Sequence, residues 1–251
     1  MLIRKRCLLW DWTNTANIPA SIENVNFKGQ ICSVANWNAW APPELKNRLP
    51  FRPTVRGMEQ LTDSNEWSMI ANNDHAIIHF FNEPERAGIP AKLAADMWKE
   101  KMVPLRSTKG KKIVGPGCAS DPAGEAWLDD FMRRVQEQGE PPDYLGLHYY
   151  GPNGAAAIQY LEKMHQKYPE YQVVVSEIAA ISRVKKEVFA FTAQVANWMD
   201  QCPWIFEYAF FGCMAKVADD FVSPEAQLMN SDGTLRLLMV KLMNEQPMSE
   251  L

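Results

Sequence analysis

Long hydrophobic runs are scarce in this chain of 251 residues, and no stretch is extended enough to span a bilayer. The opening Met1-Leu2-Ile3-Arg4-Lys5-Arg6 is basic, but only Cys7 to Trp10 follow it as an apolar run. That run is too short for a signal-peptide core. No block of one charge sign stands out, since 26 Lys and Arg face 30 Asp and Glu. The local group Arg183, Lys185 and Lys186 reads as a solvated helix start, so neither nucleic acid nor a membrane is expected as a partner. The five cysteines (Cys7, Cys32, Cys118, Cys202 and Cys213) are odd in number and form no C-x-x-C pair. They read as reduced residues of the core rather than a disulfide framework. No Gly-rich phosphate loop follows the first strand. No G-x-S-x-G elbow supports Ser120 and Asp121 as parts of a serine hydrolase. His75, His79 and His148 belong to no helical H-x-x-x-H pair and no acidic cluster, so no metal is expected. Neither linker nor repeat divides the chain, and residues 1–251 are read as one domain.

What the chain does have is a series of short apolar runs, each ending in polar or aromatic residues. The clearest is Ala76 to Phe81, which ends in Asn82-Glu83-Pro84. A run that short and that sharply bounded predicts a strand buried on both faces. Pro84 stops it, because proline cannot donate to a sheet ladder. Further strands are predicted at Cys7–Trp10, Gln30–Val34, Phe51–Val55, Lys112–Gly115, Tyr144–His148, Gln172–Val175 and Trp204–Tyr208. Pro53 marks the third as irregular or at an edge. Helical periodicity is expected over Asn65–Ala71 (capped by Ser64), Ala91–Leu105, Ala123–Gln138, Ala155–Tyr168, Glu187–Asp200 and Leu235–Met243. Leu93, Met97, Trp98 and Met102 are assigned to one buried face, and Trp98, Trp127, Phe131 and Trp198 to the core. Eight strands alternating with helices from the third onward predict a single (β/α)8 TIM barrel, with the first connecting helices short or missing. An open doubly wound sheet is the alternative.

On such a barrel the strand C-termini share one face. Asp11, Asn36-Trp37, Asn82-Glu83, Ser120, His148-Tyr149-Tyr150, Glu177 and Phe210-Phe211 then converge. Glu83 and Glu177, after strands four and seven, lie on near-opposite staves. Two carboxylates flanked by aromatic side chains are the apparatus of glycoside hydrolysis, one protonated to release the leaving oxygen and one ionised. Trp10, Trp12, Trp37 and Trp40 follow strand ends beside polar residues and are assigned to the cleft lining. Glu207, inside strand eight, is either interior or outward-facing.

Phe81-Asn82-Glu83-Pro84, Val175-Ser176-Glu177, Leu147-His148-Tyr149-Tyr150-Gly151 and Asn36-Trp37, in this order, resemble the motifs of glycoside hydrolase family 128. The resemblance runs from the first strand to the eighth. Ser176 stands where the family usually has Thr, Tyr149 and Phe210 where a Trp is common, and Arg56 where an aromatic is usual. The resemblance implies a retaining β-1,3-glucanase (laminarin-like or cell-wall glucan) with Glu83 as acid/base and Glu177 as nucleophile. Asn82, Asn36, Trp37, His148, Tyr149, Tyr150, Tyr208 and Phe210 would bind substrate. Asn82 would hold the 2-hydroxyl at the cleavage point, and His148 a sugar hydroxyl or a catalytic carboxylate. No metal or organic cofactor is needed, a monomer is expected, and an extracellular or cell-wall location is implied. The short connections after strands one and two suggest an open groove and endo action. Exo action, or a non-catalytic glucan-binding protein on the same fold, is the alternative.

Overall fold

The computed structural model describes residues 4–45, 47–217 and 220–251; the chain's first three residues, part of the basic opening, lie outside these. Eight strands run parallel in the order β2-β1-β8-β7-β6-β5-β4-β3. They are β1 (Arg6–Leu9), β2 (Ile31–Ala35), β3 (Thr54–Val55), β4 (Ile77–Phe80), β5 (Lys112–Val114), β6 (Tyr144–Gly151), β7 (Gln172–Ala180) and β8 (Ile205–Phe210). The residues leading into β3 bring its edge back to β2. Val34 bridges Phe51, its N–H donates to the Pro50 carbonyl at 3.0 Å, and Arg52 N–H donates to the Val34 carbonyl at 2.8 Å. The sheet thereby becomes a nearly closed (β/α)8 barrel. Pro50 and Pro53 in this segment cannot donate, which keeps the β2–β3 seam short and irregular.

The helices thin out where the sequence predicts. Between β1 and β2 there is only α1 (Trp12–Asn17) and a 3-10 turn, and between β2 and β3 a three-residue 3-10 turn at Pro43–Leu45. Regular layers begin with α2 (Met58–Thr62) and α3 (Ser64–Asn72). Asp63, not Ser64, caps α3, accepting from the N–H groups of Asn65 and Glu66. Next come α4 (Ala91–Met97), a π-helical turn over Trp98–Met102, and α5 (Val103–Lys109). The π turn adds a residue to the helical period and interrupts the single stripe assigned to this stretch. Leu93 is 38% exposed because the buried stripe of the regular helix is Ala91, Ala94, Ala95 and Trp98, which Met102 and Leu105 continue beyond the turn. The remaining layer is α6 (Pro122–Glu137), α7 (Gly154–Lys167), α8 (Lys185–Gln201) and α9 (Leu237–Asn244). Asp121 and Asn153 cap α6 and α7 by accepting from Gly124 N–H and Ala156 N–H.

Between wall and helices lies the main core, where Phe80 packs edge-on against Trp98 and Phe131 leans toward both. Trp127 is only half-buried and donates its indole N–H to the Ile89 carbonyl. All five cysteines are free thiols. No helix among the described residues is long and apolar enough to cross a membrane. Inside the barrel, small side chains (Cys7, Leu9, Ala35, Ala209) sit under the C-terminal rim, and Ile77, Val114 and Val174 form a second cluster. Narrow residues in the first cluster leave space beneath the rim, and the candidate site occupies it.

Candidate active site

Glu83 sits immediately past β4 in a left-handed conformation, at φ +41°. Phe81 (φ +49°) and Trp37 (φ +59°) share this unusual region and line the pocket beside it. Such strain is stable only where surrounding bonds fix it. The chain after β5 supplies them: Glu83 N–H donates to the Gly117 carbonyl at 2.8 Å, and Gly117 N–H to the Phe81 carbonyl at 3.1 Å. Gly117 is required by space. A Cβ there would lie 2.4 Å from His148 Nε2 and 2.8 Å from Ser176 Oγ.

Strand β7 is longer than its apolar run, and Glu177 lies in its middle rather than past its end. Its partner β6 is extended likewise, with His148 paired to Glu177 after a register shift. The pleat of β6 turns alternate side chains inward: His148 and Tyr150 face the site, and Tyr149 does not. Glu177 is 6% exposed and receives two neutral donors. Trp37 Nε1–H donates to Oε1 at 2.6 Å, and the Tyr150 hydroxyl to Oε2 at 2.5 Å.

His148, 1% exposed, bridges the two carboxylates. Its Nδ1 is 3.1 Å from Glu83 Oε1 and its Nε2 is 3.8 Å from Glu177 Oε1. Burial works against the imidazolium, but the Glu177 charge and the bond to Glu83 outweigh it, and the His148 pKa rises above its ordinary value. The same hydrogen bond holds the Glu83 carboxyl below its ordinary value, against the opposing effect of burial. Both shifts favour an imidazolium hydrogen-bonded to an ionised Glu83.

One oxygen from each glutamate and a ring nitrogen of His148 lie within 4.8 Å of one another, a spacing compatible with a metal. The donor set does not fit one. Both Glu177 oxygens already accept from N–H and O–H groups, whose hydrogens would point at a cation, and His148 Nδ1 faces a carboxylate. Asn82 lines the pocket beside Glu83, and its side-chain amide makes no hydrogen bond within the described protein. That leaves it available to a ligand.

Several residues assigned to the cleft lie elsewhere. Asn36 is fully buried and folds its own turn, donating to the Trp40 carbonyl and accepting from Asn38 N–H. Tyr149 points outward onto Tyr160 of α7. Tyr208 is buried against α8, its hydroxyl donating to Asp200 at 2.6 Å and accepting from Arg6 Nε at 2.8 Å. Phe210 packs edge-on against Tyr208 on that outer side. Trp10 is fully buried and donates to Glu44. The aromatic wall comes instead from Phe211, packed against both Trp37 and Tyr150, and from Phe221, which meets Tyr150. Alternation along β8 is the signal for Phe211: Glu207, Ala209 and Phe211 share one side, Tyr208 and Phe210 the other. Glu207 is interior, accepting from Arg52 Nε at 2.8 Å and Ser33 Oγ at 2.6 Å.

Known proteins repeat this architecture. The family described as glycosyl hydrolase catalytic core matches residues 10–240. A crystal structure of a GH128 subgroup VI exo-β-1,3-glucanase from Aureobasidium namibiae is 51% identical over 99% of both chains, with a TM-score of 0.97. A GH128 subgroup IV endo-β-1,3-glucanase from Lentinula edodes shares the fold at 24% identity, covering 95% of this chain and 98% of its own, with a TM-score of 0.81. So does a GH128 subgroup I endo-β-1,3-glucanase from Amycolatopsis mediterranei in complex with laminaritriose, at 17% identity, 94% and 95% coverage and a TM-score of 0.70. A comparison with curated proteins finds no match. By the family match over most of its length and by its likeness to the Aureobasidium enzyme, the chain belongs to glycoside hydrolase family 128.

Proposed function

We propose that the chain is a retaining β-1,3-glucanase in which Glu177 attacks the anomeric carbon and Glu83 serves as acid and then base. The observation that carries this is the pair of carboxylates within 4.8 Å through His148, one half-open and one buried under two neutral donors. So small a gap favours direct attack, since an inverting pair stands about 6.5–9.5 Å apart to admit a water. Trp37 and Tyr150 aim Glu177 without supplying a counter-charge, which leaves its lone pairs nucleophilic. Asn82, beside Glu83, supplies a neutral amide for the 2-hydroxyl, a contact that strengthens in the transition state.

The acid proton has an unusual resting place. Glu83 alone, near the Glu177 charge, would keep its own proton. His148 takes it instead, one hydrogen bond away. Substrate packed over Glu83 excludes water and favours the neutral carboxylic acid, and the proton returns from His148 Nδ1 before the leaving oxygen needs it. In the second half-reaction Glu177 is esterified and uncharged, and Glu83 accepts the proton of the incoming water.

The mode we propose is exo. The relative at 51% identity is named an exo-β-1,3-glucanase. The connections after β1 and β2 are short, which suggested an open groove, but the chain after β8 folds Phe211 and Phe221 onto Tyr150 and walls that flank. Laminarin digestion separates the modes. Exo action releases one short product from the first minutes while polymer length falls slowly, whereas an early ladder of oligosaccharides would contradict it.

A further inference from the structure

The end of the barrel opposite the catalytic rim carries a second set of aromatic rings that the reaction does not use. Trp204, just before β8, stacks on His165 of α7 with centroids 4.2 Å apart and planes at 16°. Trp198 of α8 meets Trp204 edge-on at 5.4 Å. Trp198, assigned to the core by helical spacing, packs against it but is only half-buried, and with the half-buried Trp204 it lines an open depression of about 530 Å³ together with Gln166 and Gln201. Gln201 and Pro203 are shared with a second depression of about 540 Å³, which continues across the bottom of the barrel to Phe206 and Gln172. Phe206 is itself stacked on Tyr144, with centroids at 4.4 Å. The two depressions form one groove with rigid aromatic groups at both ends.

The polar groups along it are selective in kind. Gln166, Gln172 and Gln201 are exposed, and their amides bond to no other described residue. Of the ionic groups along it, Glu162 and Arg4 are exposed, with Arg4 donating to the Lys28 carbonyl, and the others are engaged. Arg52 is paired with Glu207, Asp200 with Arg6, and Lys5 Nζ donates to the carbonyls of Met199 and Cys202. His165 Nδ1 is buried and has no partner. Primary amides both donate and accept, which suits hydroxyl groups, and aromatic surfaces suit the C–H faces of sugar rings.

We infer that this groove is a second glucan-binding site, which holds a segment of β-1,3-glucan away from the catalytic cleft and tethers the enzyme to its polymer. The identity of the sugar polymer rests on the function proposed above. Binding to both a surface groove and the cleft raises the effective concentration of chain at the catalytic face without any change in chemistry.

The test compares adsorption to insoluble curdlan particles, measured in the cold over minutes, with kcat/KM on soluble laminaritriose, which is too short to engage both sites. Trp204→Ala should weaken curdlan adsorption about tenfold, and laminaritriose cleavage should be unchanged. Since Trp204 is half-buried, Gln201→Ala and Gln166→Ala at exposed positions provide variants that keep the fold, each weakening adsorption about two- to threefold. Unchanged adsorption in all three variants would overturn the site, as would a parallel fall in laminaritriose cleavage. Adsorption does not depend on turnover. A wild-type protein that binds curdlan through the groove yet fails to cleave laminaritriose would therefore count against the catalytic reading and not against the groove.

Discussion

Two glutamates are buried inside the barrel on neighbouring strands, and their surroundings differ in one respect. Glu207 on β8 faces Arg52, a fixed cation bonded to it at 2.8 Å, with Ser33 donating at 2.6 Å. Glu177 on β7 receives only neutral donors, from Trp37 and Tyr150, and its nearest cation is His148 at 3.8 Å. A carboxylate saturated by a guanidinium is a structural element: its charge is spent and its geometry closed. A carboxylate oriented by neutral donors keeps its charge for a reaction partner. Burial alone therefore does not separate a nucleophile from a structural ion pair. The kind of donor does.

The sharpest way to break this comparison is to neutralise each glutamate in turn. Glu177→Gln should reduce kcat by at least about 10⁴-fold and leave the thermal midpoint near that of the wild type. Glu207→Gln should do the reverse. It leaves the buried Arg52 unpaired, a loss of about 3–5 kcal/mol, or roughly 2–4 °C of midpoint per kcal/mol in a chain of this size. Its kcat per folded molecule should stay within a few-fold. Calorimetry and active-site-normalised rates read both, and exchanged phenotypes would end the distinction.

A smaller effect is expected at the cation Glu177 does have. His148→Gln should lower kcat about 100-fold and change the pH profile. In the wild type one proton stays within the His148–Glu83 pair until pH passes the raised His148 value, above 6.5. Without the imidazole that proton rests on Glu83 alone, so the alkaline limb of kcat/KM should move to lower pH. Stability follows the same groups. The depressed Glu83 contributes above its ordinary value of 4.5 and loses that contribution as pH falls through its folded value. The raised His148 contributes fully below 6.5 and loses that contribution as pH rises through its folded value. The midpoint difference between wild type and variant should therefore be greatest between these two ordinary values. A difference that does not vary with pH would contradict the pairing.

The smallest activity change distinguishes adjacent phenylalanines. Phe211→Ala should lower kcat/KM about tenfold with little loss of stability, because the ring lies half-buried against Trp37 and Tyr150. Phe210→Ala should cost about 3–5 kcal/mol of stability and leave kcat/KM of the folded enzyme unchanged.

That last pair marks where the sequence was legible and where it was not. Short apolar runs bounded by polar residues located all eight strands, and the acidic residues at two of them located both glutamates. Direction within a strand was harder. Alternation divides β8 into two sets, but nothing in its own residues says which set faces inward. The sequence does not orient Glu207, so β8 has no anchor in it, and the expectation that Tyr208 and Phe210 line the cleft fails because both face α8 and the outer core. Strand length failed for a related reason. Runs β6 and β7 continue through His148, Tyr150 and Glu177, polar residues that end an apolar pattern yet still pair across the sheet. Gly117 could be suspected from its place between Pro116 and Cys118, but its role depends on an imidazole from another strand. His148 was legible as a site residue, and its bridge between both glutamates was not, because that depends on a register shift between strands.

The division of roles between Glu83 and Glu177 is tested most directly by azide rescue of alanine variants, with a 2,4-dinitrophenyl β-laminaribioside whose leaving group needs no proton. In Glu177→Ala, azide takes the place of the missing nucleophile, and the account predicts an α-glycosyl azide. In Glu83→Ala the glycosyl-enzyme still forms on Glu177, and azide attacks it from the opposite face to give the β-glycosyl azide. A β-azide from Glu177→Ala, or an α-azide from Glu83→Ala, would contradict the double displacement and the roles assigned to both residues.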